Sequence, residues 1–113
     1  MSHLVWSGID PESPASVSFS AIRQARQIPG FQGLILTDDL AMAAVTNRIA
    51  LRDTAVRAVA AGADLLLYSS DWEKIQSAWS NLRSRIEDDP DFADLMRDCL
   101  TRGWEPVVQK KPR

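Results

Sequence analysis

This chain of 113 residues is poor in the side chains that announce chemistry, with one cysteine, one histidine and one tyrosine. A single cysteine, Cys99, excludes an intrachain disulfide and the small secreted scaffolds that disulfides hold together. Its neighbours Leu95, Met96 and Leu100 fit an apolar helix face, and a reducing compartment suits it best. No metal-ligand spacing and no glycine-rich phosphate loop occurs, so neither a metal nor another cofactor is expected. Charge is nearly balanced, 13 basic against 15 acidic residues for a net of −2, which gives no general pull toward nucleic acid. The local exception, Lys110-Lys111-Pro112-Arg113, reads as a solvated end. No stretch reaches the roughly 18 apolar residues of a membrane span, and Met1-Ser2-His3-Leu4-Val5-Trp6 has no basic region ahead of a long apolar one. These absences predict a cytoplasmic protein without a membrane partner.

What is present is a globular composition, 45% hydrophobic with mixed charge. Three short apolar runs, His3 to Trp6, Leu34 to Leu36 and Leu65 to Tyr68, are each followed by polar residues and then a helical pattern, which is a βα repeat. The unbroken apolar character of the second and third runs predicts parallel strands covered on both faces. Ser7 to Val17, rich in serine and proline, reads as a long ordered loop. Ser18 then caps a helix to about Gln27, which Pro29-Gly30 ends. A short helical turn over Leu40 to Val45 precedes a longer helix from about Ile49 to Ala61, with Leu51, Ala55, Val56 and Val59 inward and Gly62 as its C-cap. Gly33 and Gly62 both read as tight helix-to-strand turns.

Ser70 and Glu73 have the spacing of a capping box, ahead of Trp72, Ile75, Trp79, Leu82 and Ile86 at helical intervals. Asp89-Pro90 opens a last helix carrying Phe92, Leu95, Met96, Cys99 and Leu100 inward and stopping at Gly103. The four tryptophans are expected in core or groove packing rather than stacked on sugar. Three parallel strands leave two open edges, and the first begins almost at Met1, so a larger sheet is expected of which this chain is a part.

The segment from Pro29 to Met42 carries the chemistry. Asp38 and Asp39 follow a buried parallel strand and precede a helix, at the end of an α/β sheet where ligands bind. Helix amides there favour an anion. Acids at strand ends also serve simply as N-caps, and Asp39 before Leu40 fits that role. Receiver domains and metal-dependent phosphotransfer folds place acids similarly.

Gly30-Phe31-Gln32-Gly33-Leu34-Ile35-Leu36-Thr37-Asp38-Asp39-Leu40-Ala41-Met42 resembles the nucleophile segment of family 3 glycoside hydrolases, in the branch of bacterial β-N-acetylhexosaminidases. Ser2 to Trp6 and Asp10 to Ser16 resemble the preceding strand and its Asp-Pro…Pro-Ala loop, and Ala60 to Leu67 resembles the last barrel strand with its Ala-Gly-x-Asp start. The resemblance implies an α/β fold, a partial (β/α)8 TIM barrel of about the last three βα units plus C-terminal helices. Residues 1–103 would belong to the barrel and 104–113 would form a tail.

It also implies Asp38 as the nucleophile that attacks a terminal non-reducing N-acetylglucosamine, with Asp39 as a structural cap and His3 as a substrate-binding candidate. His3 has an equally simple reading, a histidine hydrogen-bonded inside the barrel without touching sugar. The implied substrate is an N-acetylglucosamine-containing saccharide from recycled peptidoglycan. The branch's acid/base, a histidine paired with aspartate in a Lys-His-Phe-Pro-Gly-His-Gly-like stretch, has no counterpart in this sequence. Retaining hydrolysis needs two groups, so the chain is expected to be inactive alone and to require the missing N-terminal barrel portion as partner. Two alternatives stand beside this reading: a receiver-like signalling module with a phosphate or Mg²⁺ site at Asp38 or Asp39, which should have five strands, and a non-catalytic remnant with exposed strand edges.

Overall fold

The structure, a computed structural model, describes residues 1–69 and 72–108, with backbone alone for 103–108. It is α/β, combining helices with a two-stranded parallel sheet. The Ser70 half of the expected capping box and the basic end of the tail lie outside the described residues.

The chain enters through an irregular segment tied down by Asp10. Its Oδ1 accepts the N–H groups of Glu12 and Ser13, both at 3.1 Å, and its Oδ2 accepts the Ser18 hydroxyl at 2.7 Å. The Ser18 bond in particular holds the Asp10 carboxyl below its ordinary pKa. A 3₁₀ turn, Ala15–Val17, leads into helix α1, Phe19–Arg26. Ser18 caps α1 as expected by accepting the Ala21 N–H at 3.2 Å. Beyond Pro29, Gly30 takes φ 79°, a left-handed angle that glycine adopts without Cβ strain.

Strand β1, Leu36–Asp39, pairs in parallel with β2, Leu65–Leu67. β1 therefore starts later than the apolar run suggests and includes both aspartates. The cause is a side chain: at Ile35, the N–H is taken by Asp64 Oδ2 at 2.8 Å, and the Ile35 carbonyl accepts Asp64 N–H at 2.9 Å. A short helix α2, Ala43–Thr46, a 3₁₀ turn, Leu51–Asp53, and helix α3, Thr54–Ala61, connect the strands. Gly62 closes α3 at φ 100°, the C-cap expected of it. Gly33 stands at a bend between α1 and β1 without a left-handed angle, and its free side is filled by the Phe31 ring, 3.1 Å from where a Cβ would stand.

The expected first strand, His3 to Trp6, does not form. Met1 alone lies along β1, its ammonium donating to the Leu36 carbonyl at 2.6 Å and its carbonyl accepting Asp38 N–H at 2.8 Å. The carbonyls of Ser2 and Leu4 turn instead to the N–H groups of Ser16 and Ala15, and Trp6 bridges to Asp10. The following loop thus captures the backbone groups that a strand ladder would have used.

Nor are the strands covered on both faces. One core, with Ile22, Ile35, Leu40, Val45, Ala58 and Ala63, packs on one side of the sheet. The other side is bare: Leu36, Leu65 and Leu67 are 46%, 45% and 41% exposed. Unbroken apolar character therefore does not guarantee cover on both faces, because periodicity reports the side chain and not what packs on it.

A second core joins α3 to helices α4, Trp72–Asp88, and α5, Pro90–Val108, through Ala55, Val59, Ala78, Leu82, Phe92 and Cys99. Asp89 caps α5 through Oδ1 to the Phe92 N–H at 3.1 Å, with Pro90 in the first helical position. The helix continues through Gly103, where a stop was expected; glycine inside a helix costs about 1 kcal/mol and does not terminate it unaided. Burial raises the Cys99 thiol pKa, and Leu100 faces outward. Trp72 and Trp79 are also exposed and lie outside both cores, lining a surface concavity on α4 with Ile75. The inward stripe of α4 centres on Ala78 and Leu82, and the two indoles fall on its flank. Among the described residues no helix is long and apolar enough to cross a membrane.

Candidate active site

Asp38 occupies the third position of β1, two residues after Leu36, so strand alternation puts both on the bare face. Its side chain is exposed, at one end of an open concavity of about 540 Å³ lined by Met1, Phe31, Leu36, Thr37 and Leu67 among others. Oδ1 accepts the Asp39 N–H at 2.9 Å. Oδ2 accepts nothing from the described residues, which leaves a carboxylate oxygen free to meet a ligand.

Asp39 points the other way and is fully engaged. Oδ1 accepts the N–H groups of Ala41 at 3.0 Å and Ser69 at 3.3 Å, and Oδ2 accepts the Ser69 hydroxyl. The Ser69 hydroxyl bond leads in holding the Asp39 carboxyl below its ordinary pKa. Asp39 is not the N-cap of α2; that position belongs to Met42, which makes no side-chain cap. The carboxylate instead closes a turn and ties the end of β1 to Ser69, two residues beyond β2.

His3 has both ring nitrogens occupied by protein. Nε2 lies 2.7 Å from the Asp39 carbonyl, which can only accept, so Nε2 carries a proton. Nδ1 lies 2.6 Å from the Oγ of buried Ser16. The ring spans from the entry loop to β1, with both nitrogens spent on the protein.

Two buried polar groups hold this end of the sheet together. Thr37 Oγ1 accepts the Leu67 N–H at 3.0 Å, replacing a ladder bond where the β1–β2 register shifts between Leu36 and Asp39. Tyr68 donates to Thr54 Oγ1 at 2.7 Å, the Thr54 hydroxyl being committed to the Leu51 carbonyl. Burial raises the Tyr68 pKa. At the opposite end, Asp64 receives the Ile35 N–H, and also Arg26 from α1 and Arg102 from α5, the last at 2.8 Å.

The pairs Asp39–Ser69, Thr37–Leu67, His3–Ser16 and Asp64–Arg102 were not legible in the sequence. Partners 13 to 38 residues apart leave no local spacing signal. Among the described residues no group of three His, Cys, Asp or Glu side chains is placed to hold a metal ion.

The sequence profile of the glycosyl hydrolase family 3 N terminal domain matches residues 1–96. The chain belongs to that family. Its fold is similar to a β-N-acetylhexosaminidase from Beutenbergia cavernae, at 32% identity and a TM-score of 0.76 over 88% of this chain and 30% of the other. It is similar also to a family 3 β-N-acetylglucosaminidase from Paenibacillus sp. str. FPU-7, at 27% identity and a TM-score of 0.72, covering 95% of this chain and 22% of that one. A fungal multi-domain family 3 β-N-acetylglucosaminidase, 24% identical, shares the fold at a TM-score of 0.83 over 98% of this chain and 14% of its own. The chain thus spans less than a third of each of these structures. Comparison with curated proteins gave no match. The family membership, with two strands among the described residues where a receiver would have five, leaves the signalling alternative without support.

Proposed function

We propose that this chain forms the last part of a (β/α)8 barrel, two of whose strands are β1 and β2, in a retaining glycosidase acting on terminal non-reducing β-N-acetylglucosamine, with Asp38 as its nucleophile. The observation that best supports this reading is the bare sheet face, where Leu36, Leu65 and Leu67 stand uncovered in line with the exposed Asp38 carboxylate. An apolar face with a free carboxylate at its C-terminal rim is what the interior of such a barrel requires once the remaining strands enclose it. The relatives that carry hexosaminidase names support the reaction class.

In the proposed reaction, Asp38 Oδ2 attacks the anomeric carbon while the glycosidic bond breaks, leaving the sugar covalently attached to the carboxylate. Water then cleaves that ester and restores Asp38. Protonation of the leaving oxygen and deprotonation of the water need a second group. The described side chains near Asp38 offer none, because both His3 nitrogens and both Asp39 oxygens are committed. That group is assigned to the rest of the barrel, a partner or adjoining polypeptide, and the isolated chain is inactive. The substrate pool and compartment proposed are peptidoglycan fragments in the bacterial cytoplasm, on the family resemblance.

The test is a 2- or 5-fluoro glycosyl inhibitor applied to this chain complemented with the remaining barrel, followed by peptide mass spectrometry. The label is expected on Asp38, with turnover reduced by several orders of magnitude in Asp38→Asn. Label on Asp39, full activity in Asp38→Asn, or robust turnover by the 113-residue chain alone would overturn the proposal.

A further inference from the structure

We infer that Ser69, Asp39 and His3 form a clasp of positioning residues that fixes the Asp38 carboxylate, acting through the Asp39 N–H. This rests on the reading of Asp38 as nucleophile. Asp39 is immobilised at three points: its carboxylate by Ser69 and Ala41, and its carbonyl by His3 Nε2. His3 is in turn anchored on Ser16, which is completely buried. The N–H of the residue so held is the donor to Asp38 Oδ1 at 2.9 Å, so the orientation of that carboxylate follows the orientation of the Asp39 peptide.

The clasp is needed where it stands. The β1–β2 register is irregular between Leu36 and Asp39, and the Asp38 N–H is taken by the Met1 carbonyl at 2.8 Å and not by β2, which leaves the Asp39 peptide to be fixed by side chains. Three neighbouring segments meet through side chains instead: the entry segment through His3, β1 through Asp39, and the end of β2 through Ser69. An attacking oxygen held to within about half an ångström of its productive position needs such support, since a carboxylate on a sheet rim otherwise exchanges among staggered χ1 rotamers. The same bonds explain the division of labour between adjacent aspartates: one spends both oxygens on the scaffold, the other keeps Oδ2 open.

Two measurements test the clasp. In the 113-residue chain, three-bond NMR couplings report the Asp38 χ1. The native sequence and Ser69→Thr are expected to hold one rotamer, whereas Ser69→Ala and Asp39→Asn average between rotamers. In a chimera carrying this chain in place of the corresponding part of the Beutenbergia cavernae enzyme, Ser69→Ala should lower kcat tenfold or more at unchanged KM, with recovery in Ser69→Thr. A single Asp38 rotamer in Ser69→Ala overturns the clasp, as does an active chimera whose kcat ignores that substitution. A chimera inactive with the native sequence instead counts against the nucleophile reading, and the couplings still decide whether the clasp orients Asp38.

Discussion

Asp64→Ala is expected to destabilise the chain by about 3 kcal/mol. The Asp64 side chain is fully buried and joins three elements: the Ile35 N–H ahead of β1, Arg26 of α1 and Arg102 of α5. Truncation leaves the Ile35 N–H without its acceptor, a loss of roughly 1–3 kcal/mol, and breaking a buried ion pair on one side costs roughly 3–5 kcal/mol. The Arg26 and Arg102 side chains are 26% and 41% exposed and rehydrate once released, which places the sum at the low end of the larger range. A chain of this size has on the order of 10 kcal/mol of total stability, so the loss is a large fraction. Asp64→Asn keeps an acceptor for Ile35 and should cost about half as much, by the difference between charged and neutral hydrogen bonds.

The sign with pH follows from the carboxyl. Burial raises its pKa, but the Ile35 N–H, Arg102 and Arg26 together hold it below the ordinary value. Its contribution is therefore complete above the unfolded value, about 3.9, and lost as pH falls through the lower folded value. Urea unfolding followed by circular dichroism should give a native-minus-Asp64→Ala gap that is constant from about pH 8 to 5 and narrows in stronger acid. A gap under about 0.5 kcal/mol at neutral pH, the ordinary size of a surface substitution, would refute the reasoning, as would a gap that stays open in acid.

Gly62→Ala should cost about 1 kcal/mol or more in the same assay, because φ 100° strains any Cβ and this one would stand 3.3 Å from Ile22 Cγ2; a neutral or stabilising result would contradict the left-handed cap. Thr37→Val should cost roughly 1–3 kcal/mol by leaving the Leu67 N–H without its acceptor, and faster hydrogen exchange at Leu67 would locate the loss. Trp72 and Trp79, 68% and 56% exposed, should be quenched readily by iodide, and replacing both with alanine should change stability by no more than about 1 kcal/mol; strong protection from iodide would mean that the flank of α4 is covered in solution.

Much of the frame was readable from the amino-acid order because its causes are local. Ser18 before α1, Gly30 and Gly62 at left-handed angles, and Asp89-Pro90 before α5 act within a few residues of where they stand. The segment around Asp38 and Asp39 was legible for the same reason, as an apolar run delivering two acids at the C-terminal end of a parallel strand. Tertiary structure alone decided which groups meet across the fold. The entry segment gave its carbonyls to the loop after it and not to β1, the Trp flank of α4 stayed in solvent, and one face of the sheet remained bare. It also decided that Asp39 spends its oxygens on Ser69 and Ala41 while Asp38 keeps one free. Sequence periodicity reports that a side chain is apolar or charged. Which partner reaches it first depends on backbone groups tens of residues away, brought within 3 Å only by the packed fold.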